Sequence, residues 1–423
     1  MIHVVAEGET LYSIAERYQV SEERVRYDNQ IEDPVDLVPG QALLILIPEI
    51  VHVVQAGESL YGIAEDYGTT VLALLRNNPY LDTRAYLIPG EAIVISYEEK
   101  GTRDAVVGGY AYPYIREDIL REALLYLSEL MIFSYGFNTL GDLIAPDDEW
   151  LIQEALNYGV APIMVLTPIY EGRFNNYLVN QVVENPSVAE NLIDQILQTV
   201  EAKGYAGVDV DFEYILPEDR EGYAAFIRDL TERMNAQGYR VSVALAPKTS
   251  AEQRGVLYEG MDYRLLGEYA NWVFLMTYEW GYTYGPPMAV APIPSVRRIL
   301  DYAVTEIPPE KISMGIPNYG YDWPLPFERG TTRAASIGNP EAVALAAAND
   351  VEIQFDSEAQ APYFYYVDSG VTHVVWFEDM RSISAKFSLV EEYNFRGMGY
   401  WNLMRPFRAN WLLLHSRFSI RRE

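Results

Sequence analysis

The amino-acid sequence predicts an α/β protein in which a (β/α)8 TIM barrel follows two small βααβ modules. Two observations carry this prediction. The stretch 3–18 recurs at 52–67 with most residues unchanged, and from residue 104 onward apolar strand segments alternate with amphipathic helical segments. At 423 residues the chain is long enough for one large domain and two small ones. We therefore expect modules at 1–48 and 50–97, a linker at 98–103 and a barrel domain at 104–423.

Each N-terminal repeat carries the signals of a strand, two helices and a second strand. After a short strand and a glycine turn, Thr10 or Ser59 is a favourable N-cap for the first helix. A second helix is expected at 21–29 and 70–77, and a Pro-Gly turn then leads to final strands at 43–47 and 92–96. The polar segment 96–103 predicts some freedom between the repeats and the rest of the chain.

The barrel is predicted from eight apolar segments with helical segments between most of them. Strands are expected at 105–110, 130–135, 161–166, 207–213, 239–246, 272–277, 312–316 and 397–402, and helices, for example, at 147–158, 188–203, 220–237 and 296–302. Extra chain at about 321–376 predicts a small α+β insertion between the last two strands, which would form a substrate wall.

Polar and aromatic residues recur where these strands end. Because the active site of such a barrel lies at the carboxyl ends of its strands, we expect these side chains to contact a substrate. The candidates are Tyr110, Tyr135, Tyr278, Glu279, Asn318, Tyr319 and Trp401.

The fourth predicted strand carries three acidic residues. Asp209, Asp211 and Glu213 alternate with apolar residues, so their side chains share one face, at steps of roughly 6.6 Å. Carboxyl groups so placed repel each other and resist desolvation, which favours a site where they share protons and do chemistry. Glu213 lies nearest the carboxyl end, and a carboxyl group kept protonated by burial and like-charged neighbours can act as a general acid. The alternatives are a metal site or a solvated edge strand, but no histidine cluster accompanies the acids, and we expect neither metal nor cofactor.

Two motifs in this part of the chain resemble glycoside hydrolase family 18. Residues 206–213 are similar to the family's D-x-x-D-x-D-x-E motif, and residues 276–279, Met-Thr-Tyr-Glu, are similar to its M-x-Y-[DN]. The resemblance covers roughly 104–415 and implies retaining hydrolysis in which the N-acetyl carbonyl of the substrate is the nucleophile. The implied roles are Glu213 as general acid/base, Asp211 as the residue that orients the acetamido group, Asp209 as the residue that tunes Asp211, Tyr278 as hydroxyl donor, Trp401 as the floor under the sugar, and Met276 and Glu279 as substrate-binding residues.

The sequence departs from these motifs at two positions. Ala206 stands where the first motif begins with Asp, and Glu279 stands where the second ends with Asp or Asn. The first Asp is the acid farthest from the sugar, so its loss is expected to retune the acid network and to leave catalysis in place. Barrel core packing is the alternative role for Tyr278, Tyr319 and Trp401, because buried aromatic residues are common.

The two repeats resemble LysM domains over residues 2–48 and 51–96. The resemblance implies binding of glycans that contain N-acetylglucosamine, such as peptidoglycan or chitin. The groove would lie between the first strand–helix turn and the loop before the last strand, at 33–38 and 81–88. The implied binding residues are Gly8, Glu9, Thr10, Leu11, Gly57, Glu58, Ser59 and Leu60. For Leu11 and Leu60, a place in the small core of the repeat is an equally good explanation.

Composition excludes several classes of partner. A formal net charge of −30 argues against nucleic acid and anionic membranes, which are bound by Lys and Arg, and is compatible with a neutral glycan. The absence of cysteine excludes disulfides, thiolate zinc sites and cysteine nucleophiles. The N-terminus shows no basic and apolar signal segment, and no stretch has the length of a membrane span.

Taken together, these features resemble the spore cortex-lytic N-acetylglucosaminidases of endospore-forming bacteria. The resemblance implies hydrolysis of N-acetylglucosaminyl linkages in cortex peptidoglycan, with the repeats anchored on the glycan. It implies spore association, and the alternative location is cytoplasmic. Two other functions stay open from the sequence: a chitinase or endo-N-acetylglucosaminidase acting on other N-acetyl glycans, and a non-catalytic glycan-binding coat protein.

Overall fold

A parallel barrel forms the body of the protein in a computed structural model that describes residues 1–32, 37–170 and 172–422. Within those ranges eight parallel strands pair in chain order, and pairing of the first with both the second and the eighth closes the barrel. The strands are β1 (Arg103–Ala111), β2 (Glu129–Phe137), β3 (Ala161–Leu166), β4 (Gly207–Val210), β5 (Arg240–Leu245), β6 (Trp272–Leu275), β7 (Ile312–Pro317) and β8 (Gly397–Trp401). The predicted fold class is confirmed.

The fourth strand is shorter than the sequence predicts. Strand β4 pairs with β3 and β5 only as far as Val210, where the partner residues are Leu166 and Val243. The amide of Asp211 still donates to the carbonyl of Leu166 at 2.9 Å, and the chain then leaves the sheet. Asp209 therefore lies on the strand, while Asp211 and Glu213 follow it at the mouth of the barrel.

Helices cover the outside of the barrel and bury apolar stripes against it. They span Glu117–Leu124, Glu149–Asn157, Asn176–Glu184, Pro186–Lys203, Arg220–Ala236, Tyr263–Tyr269, Ile293–Glu306, Met380–Glu392 and Arg408–Arg417. Short 3-10 turns lie at Pro217–Asp219 and Pro309–Lys311. After the last helix, the strand Phe418–Ile420 pairs in parallel with the start of β1, which ties the C-terminal segment to the first barrel strand. Two short ribbons lie beside the barrel: Leu143–Ile144, which pairs with β2, and the pair Ile169–Tyr170 and Arg173–Phe174.

The insertion between β7 and β8 is a five-stranded antiparallel sheet with one helix. Its strands are Gly320–Pro324, Ala335–Ile337, Gln354–Asp356, Ala361–Asp368 and Val371–Trp376, and its helix is Asn339–Ala348. Its own apolar cluster includes Phe364, Val375 and Phe377. The small α+β insertion predicted between the last two strands is confirmed.

The two N-terminal repeats have the predicted βααβ order. The first contains Ile2–Val4, Leu11–Tyr18, Glu22–Asp28 and Ala42–Leu44, and the second contains Pro48–Val53, Leu60–Asp66, Val71–Asn77, a 3-10 turn at Pro79–Leu81 and Ala92–Tyr97. In each repeat the first and last strands pair in antiparallel fashion. Thr10 and Ser59 cap the first helices, because their side-chain oxygens accept hydrogen bonds from the amides of Ser13 and Gly62.

The repeats are docked on the barrel, so the expectation of freedom between them is wrong. Arg408 lies between the two parts, donating to Glu122 of the barrel at 2.7 Å and to the carbonyl of Tyr27 in the first repeat at 3.0 Å. In the second repeat, the Nε atom of Arg76 donates to the carbonyl of Leu125 at 2.7 Å, and Tyr126 donates to the carbonyl of Arg76. These contacts could not be predicted from the polar composition of the linker, because residues of the repeats outside the linker make them.

Candidate active site

A cavity of about 750 Å³ opens at the carboxyl end of the barrel strands. Side chains from seven of the barrel strands, or from the loops after them, contribute to its wall. These include Tyr110, Tyr112, Phe133, Asp211, Glu213, Tyr214, Ala244, Met276, Tyr278, Glu279, Tyr282 and Trp401. The cavity is therefore placed where a barrel enzyme holds its substrate.

Asp209, two residues before the cavity-lining Asp211, is fully buried on strand β4. Its two carboxyl oxygens accept hydrogen bonds from the hydroxyls of Tyr110, at 2.8 Å, and Ser242, at 2.6 Å. Burial raises the pKa of Asp209 to about 6, and these two hydrogen bonds oppose the rise because they favour the charged form. Asp209 thus joins β1, β4 and β5 beneath the other acids.

Asp211 and Glu213 stand above Asp209. Asp211 is 5% exposed, and among the described residues its Oδ1 atom has no hydrogen-bond partner. Burial raises the pKa of Asp211 well above its usual value, and the charges of Glu213 and Asp209 raise it further. Burial, and then the charge of Glu279, raises the pKa of Glu213 to about 7. A carboxyl group with this pKa is substantially protonated near neutral pH and can donate a proton to a leaving oxygen.

Tyr278 and Glu279 close the cavity on the side of β6. Tyr278 is buried, and burial together with the charges of Asp211 and Glu213 raises the pKa of its hydroxyl well above its usual value, so that it stays a donor. The carboxyl group of Glu279 accepts hydrogen bonds from the hydroxyl of Tyr319 and, at 3.0 Å, from that of Tyr321. Burial raises the pKa of Glu279, and the two tyrosines oppose that rise.

Aromatic rings surround the indole of Trp401. Its ring centroid lies 5.6 Å from that of Tyr110, 6.1 Å from that of Tyr112 and 5.1 Å from that of Phe133. The sequence did not single out Phe133, because it continues the apolar run 130–133 of β2 and so looks like a core residue. Tyr282 was missed as well, since it follows β6 in a loop with no regular pattern.

Three predicted substrate-binding residues do not line the cavity. Tyr135 is buried and donates to Asp148 at 2.6 Å, on the side of β2 that faces the helices. Asn318 is buried and donates to the carbonyls of Asn402, at 3.0 Å, and Arg405, at 2.9 Å. Their placement contradicts direct substrate contact for both, because their polar groups hold neighbouring chain segments. Tyr319 also lies behind the wall, where it bonds to Glu279.

The predicted glycan-binding residues of the repeats form two similar turns. Glu9 accepts hydrogen bonds from His3 and from the amide of Ala6, and Glu58 likewise pairs with His52 at 2.7 Å and with the amide of Gln55. Gly8 and Gly57 are exposed, at φ values of 78° and 90° that favour glycine. Leu11 is buried in the small core, whereas Leu60 is half-buried. Of the predicted loop 33–38, residues 33–36 lie outside the described residues.

Comparison with known proteins assigns the barrel. Residues 175–405 match the family model described as glycosyl hydrolases family 18, and this match covers more than half of the chain. The chain belongs to glycoside hydrolase family 18. The LysM domain model matches residues 3–46 and 52–96, so this family 18 member is a glycoside hydrolase with two LysM domains.

Relatives of this family 18 chain match it from end to end. It is 39% identical to a cortical fragment-lytic enzyme of Bacillus subtilis, over 99% of this chain and 98% of the relative. It is 37% identical to the protein of the same description from Bacillus anthracis, over 100% of this chain and 99% of the relative. The crystal structure of the spore cortex-lytic enzyme SleL from Bacillus megaterium superposes with a TM-score of 0.85 at 37% identity, covering 100% of this chain and 99% of that one.

The family and the two LysM domains together indicate binding of glycans that contain N-acetylglucosamine. Among the described residues, no group of three or more His, Cys, Asp or Glu is arranged to hold a metal ion. In the same part of the chain, each helix is too short or too polar to span a bilayer.

Proposed function

We propose that the protein is a retaining N-acetylglucosaminidase that hydrolyses cortex peptidoglycan or its fragments, with Glu213 as general acid/base. One observation carries the proposal: a carboxyl group whose pKa is raised to about 7 lines the cavity beside a buried Asp211 oxygen that lacks a partner among the described residues. An acid that is partly protonated at neutral pH suits protonation of a glycosidic oxygen.

The arrangement of the other acids favours substrate assistance. Among the described residues that line the cavity, the remaining carboxyl groups belong to Asp211 and Glu279. Asp211 is buried below Glu213, and Glu279 is held by two tyrosine hydroxyls. Neither is free to attack an anomeric carbon in the way that an ordinary retaining mechanism requires. In the proposed role, the unpaired Oδ1 of Asp211 accepts the acetamido N–H, the Tyr278 hydroxyl donates to the acetamido oxygen, and that oxygen forms the bond to the anomeric carbon as Glu213 protonates the leaving group.

The substrate class rests on the relatives. Proteins described as cortical fragment-lytic enzymes match this chain over nearly its full length, and solved relatives are described as spore cortex-lytic enzymes. We infer spore association for the same reason. A chitinase solved from Chromobacterium violaceum shares the fold at 24% identity, which says nothing about substrate.

Replacement of Glu213 with glutamine tests the assignment. We expect turnover of peptidoglycan fragments to fall by about 10²–10⁴-fold, because the proton donor is lost. The glycan should still bind. The matched control is Glu218→Gln, which changes an exposed acid in the same loop region and should leave turnover unchanged. Wild-type turnover in the Glu213 variant would sink the proposal.

Two further measurements separate the alternatives. A thiazoline that mimics the cyclised intermediate should inhibit the enzyme competitively, and indifference to it would argue against the N-acetyl nucleophile. Mass spectrometry of products from cortex fragments and from chitin oligomers decides the substrate. Faster release from chitin oligomers would favour a chitinase, and no product from either substrate would favour a glycan-binding protein.

A further inference from the structure

The two LysM domains differ in the loop that precedes their last strand. Val38 and Ile88 occupy equivalent positions, before the Pro-Gly pair, yet Val38 is 4% exposed and Ile88 is 47% exposed. Val38 is buried because it belongs to the apolar cluster of the barrel insertion, where it joins Phe364 and Phe377. The loop before the last strand therefore contributes a core residue to the barrel insertion in the first LysM domain, whereas the equivalent loop of the second domain leaves Ile88 exposed.

The Pro-Gly pair that directly follows Val38 or Ile88 shows the same difference between the two domains. The amide of Ile353, in the insertion, donates to the carbonyl of Pro39 at 2.9 Å, and Arg381 donates to the carbonyl of Gly40 at 3.0 Å. A Cβ atom added to Gly40 would lie 1.8 Å from the carbonyl oxygen of Ile353. At the equivalent Gly90, no described heavy atom outside its chain neighbours lies within 4 Å of such a Cβ.

In the opposite wall of the groove, the glycine and glutamate of the turn have equivalent surroundings in the two domains. An added Cβ at Gly8 or Gly57 meets no heavy atom of the described chain within 4 Å, and Glu9 and Glu58 make equivalent hydrogen bonds to histidine. Among the described residues, the larger difference between the domains thus lies in the wall that the insertion contacts in the first domain.

The loop of the second domain exposes apolar side chains to solvent. Tyr86 is 75% exposed beside Ile88, and aromatic and aliphatic faces of this kind pack on pyranose rings. Two hydrogen bonds hold this loop: the carboxyl group of Glu91 accepts from the amide of Ile88 and from Arg84, both at 2.6 Å. The residue of the first domain aligned with Tyr86 is the acidic Asp36.

We propose that the two LysM domains divide their work: the second holds an N-acetyl-sugar strand, and the first fixes the insertion to the repeats. The proposed glycan site lies between the turn at residues 57–60 and the loop at residues 84–90. This inference rests on the proposed function, in that the ligand is the glycan on which the barrel acts.

Hydrogen exchange of the full chain, read by mass spectrometry, tests the division. The probe is the pentamer of N-acetylglucosamine, added to the Glu213→Gln variant so that it is not cleaved. We expect exchange to slow at least twofold in peptides covering 55–61 and 83–91, with no change over 6–12. Slower exchange over 6–12, alone or together with the second domain, overturns the division. No change in either domain overturns it as well, while turnover of the wild-type chain, measured separately, still decides the hydrolase proposal.

Sedimentation with insoluble peptidoglycan gives a second measurement. The double change Tyr86→Ala and Ile88→Ser should weaken retention of the full chain by at least fivefold, because it removes the exposed apolar surface. The control is Tyr12→Ala, which removes an exposed tyrosine from the first domain and should not alter retention. Equal retention of the double variant and the wild type would overturn the inference, provided that circular dichroism shows both to be folded.

Discussion

Replacement of Glu279 with glutamine should move the basic limb of the pH–rate profile to lower pH. Glu213 acts as an acid only while protonated, so kcat/KM falls as the pH rises through its pKa, which is about 7. Burial is the larger cause of the rise from the usual 4.5, and the charge of Glu279 is the other cause. Loss of that charge therefore removes less than half of the rise, and we expect the limb to move down by roughly one pH unit.

The glutamine preserves the surroundings of residue 279. Its side-chain oxygen can still accept hydrogen bonds from Tyr319 and Tyr321, so the wall keeps its shape while losing one charge. The measurement is kcat/KM on a soluble fragment between pH 5 and 9, and Glu149→Gln, an exposed acid on the outer helix layer, serves as the control whose profile should not move. A basic limb that stays in place, or moves to higher pH, would refute the idea that Glu279 raises the pKa of Glu213.

Two predictions concern stability. Val38→Ala should lower the free energy of unfolding in urea by about 2 kcal/mol, because roughly two buried methyl groups are lost and a cavity remains, whereas Ile88→Ala should change it by less than about 0.5 kcal/mol. Equal effects would contradict the burial of Val38 in the insertion. Lys386 and Glu378 form a 2.8 Å ion pair in which each side chain is 1% exposed, so Lys386→Met should cost about 3–5 kcal/mol and addition of Glu378→Leu should restore most of it. A double variant as unstable as the single one would count against an uncompensated charge as the cause.

The barrel was predictable because each strand and its helix carry their own apolar pattern. Strand β3 begins and ends as predicted, at Ala161 and Leu166. The end of β4 was not predictable in the same way, because it depends on where its two neighbours stop pairing. Asp211 and Glu213 consequently lie beyond the strand, although the alternating sequence continues through them.

The candidate site was predictable where a residue type is unusual for its place. Acids in an apolar run pointed to Asp209, Asp211 and Glu213; the last two line the cavity, and Asp209 accepts a hydrogen bond from the cavity-lining Tyr110. Tyr135 was predicted to contact substrate, although tyrosine is common on both sides of a strand. No feature of the sequence identifies Asp148 as the residue that accepts the hydrogen bond from its hydroxyl. Docking of the repeats was missed for a related reason, since the partners of Val38 lie hundreds of residues away along the chain.

The burial of Val38 bears on the order in which the protein folds. The first LysM domain leaves the ribosome long before Phe364 and Phe377, whose apolar cluster Val38 joins. Similarly, β1 is synthesised long before its neighbours β8 and Phe418–Ile420. Contacts of such long sequence separation form slowly, because a large loop must close before they contribute free energy. The first LysM domain thus emerges long before the segments that complete its surroundings.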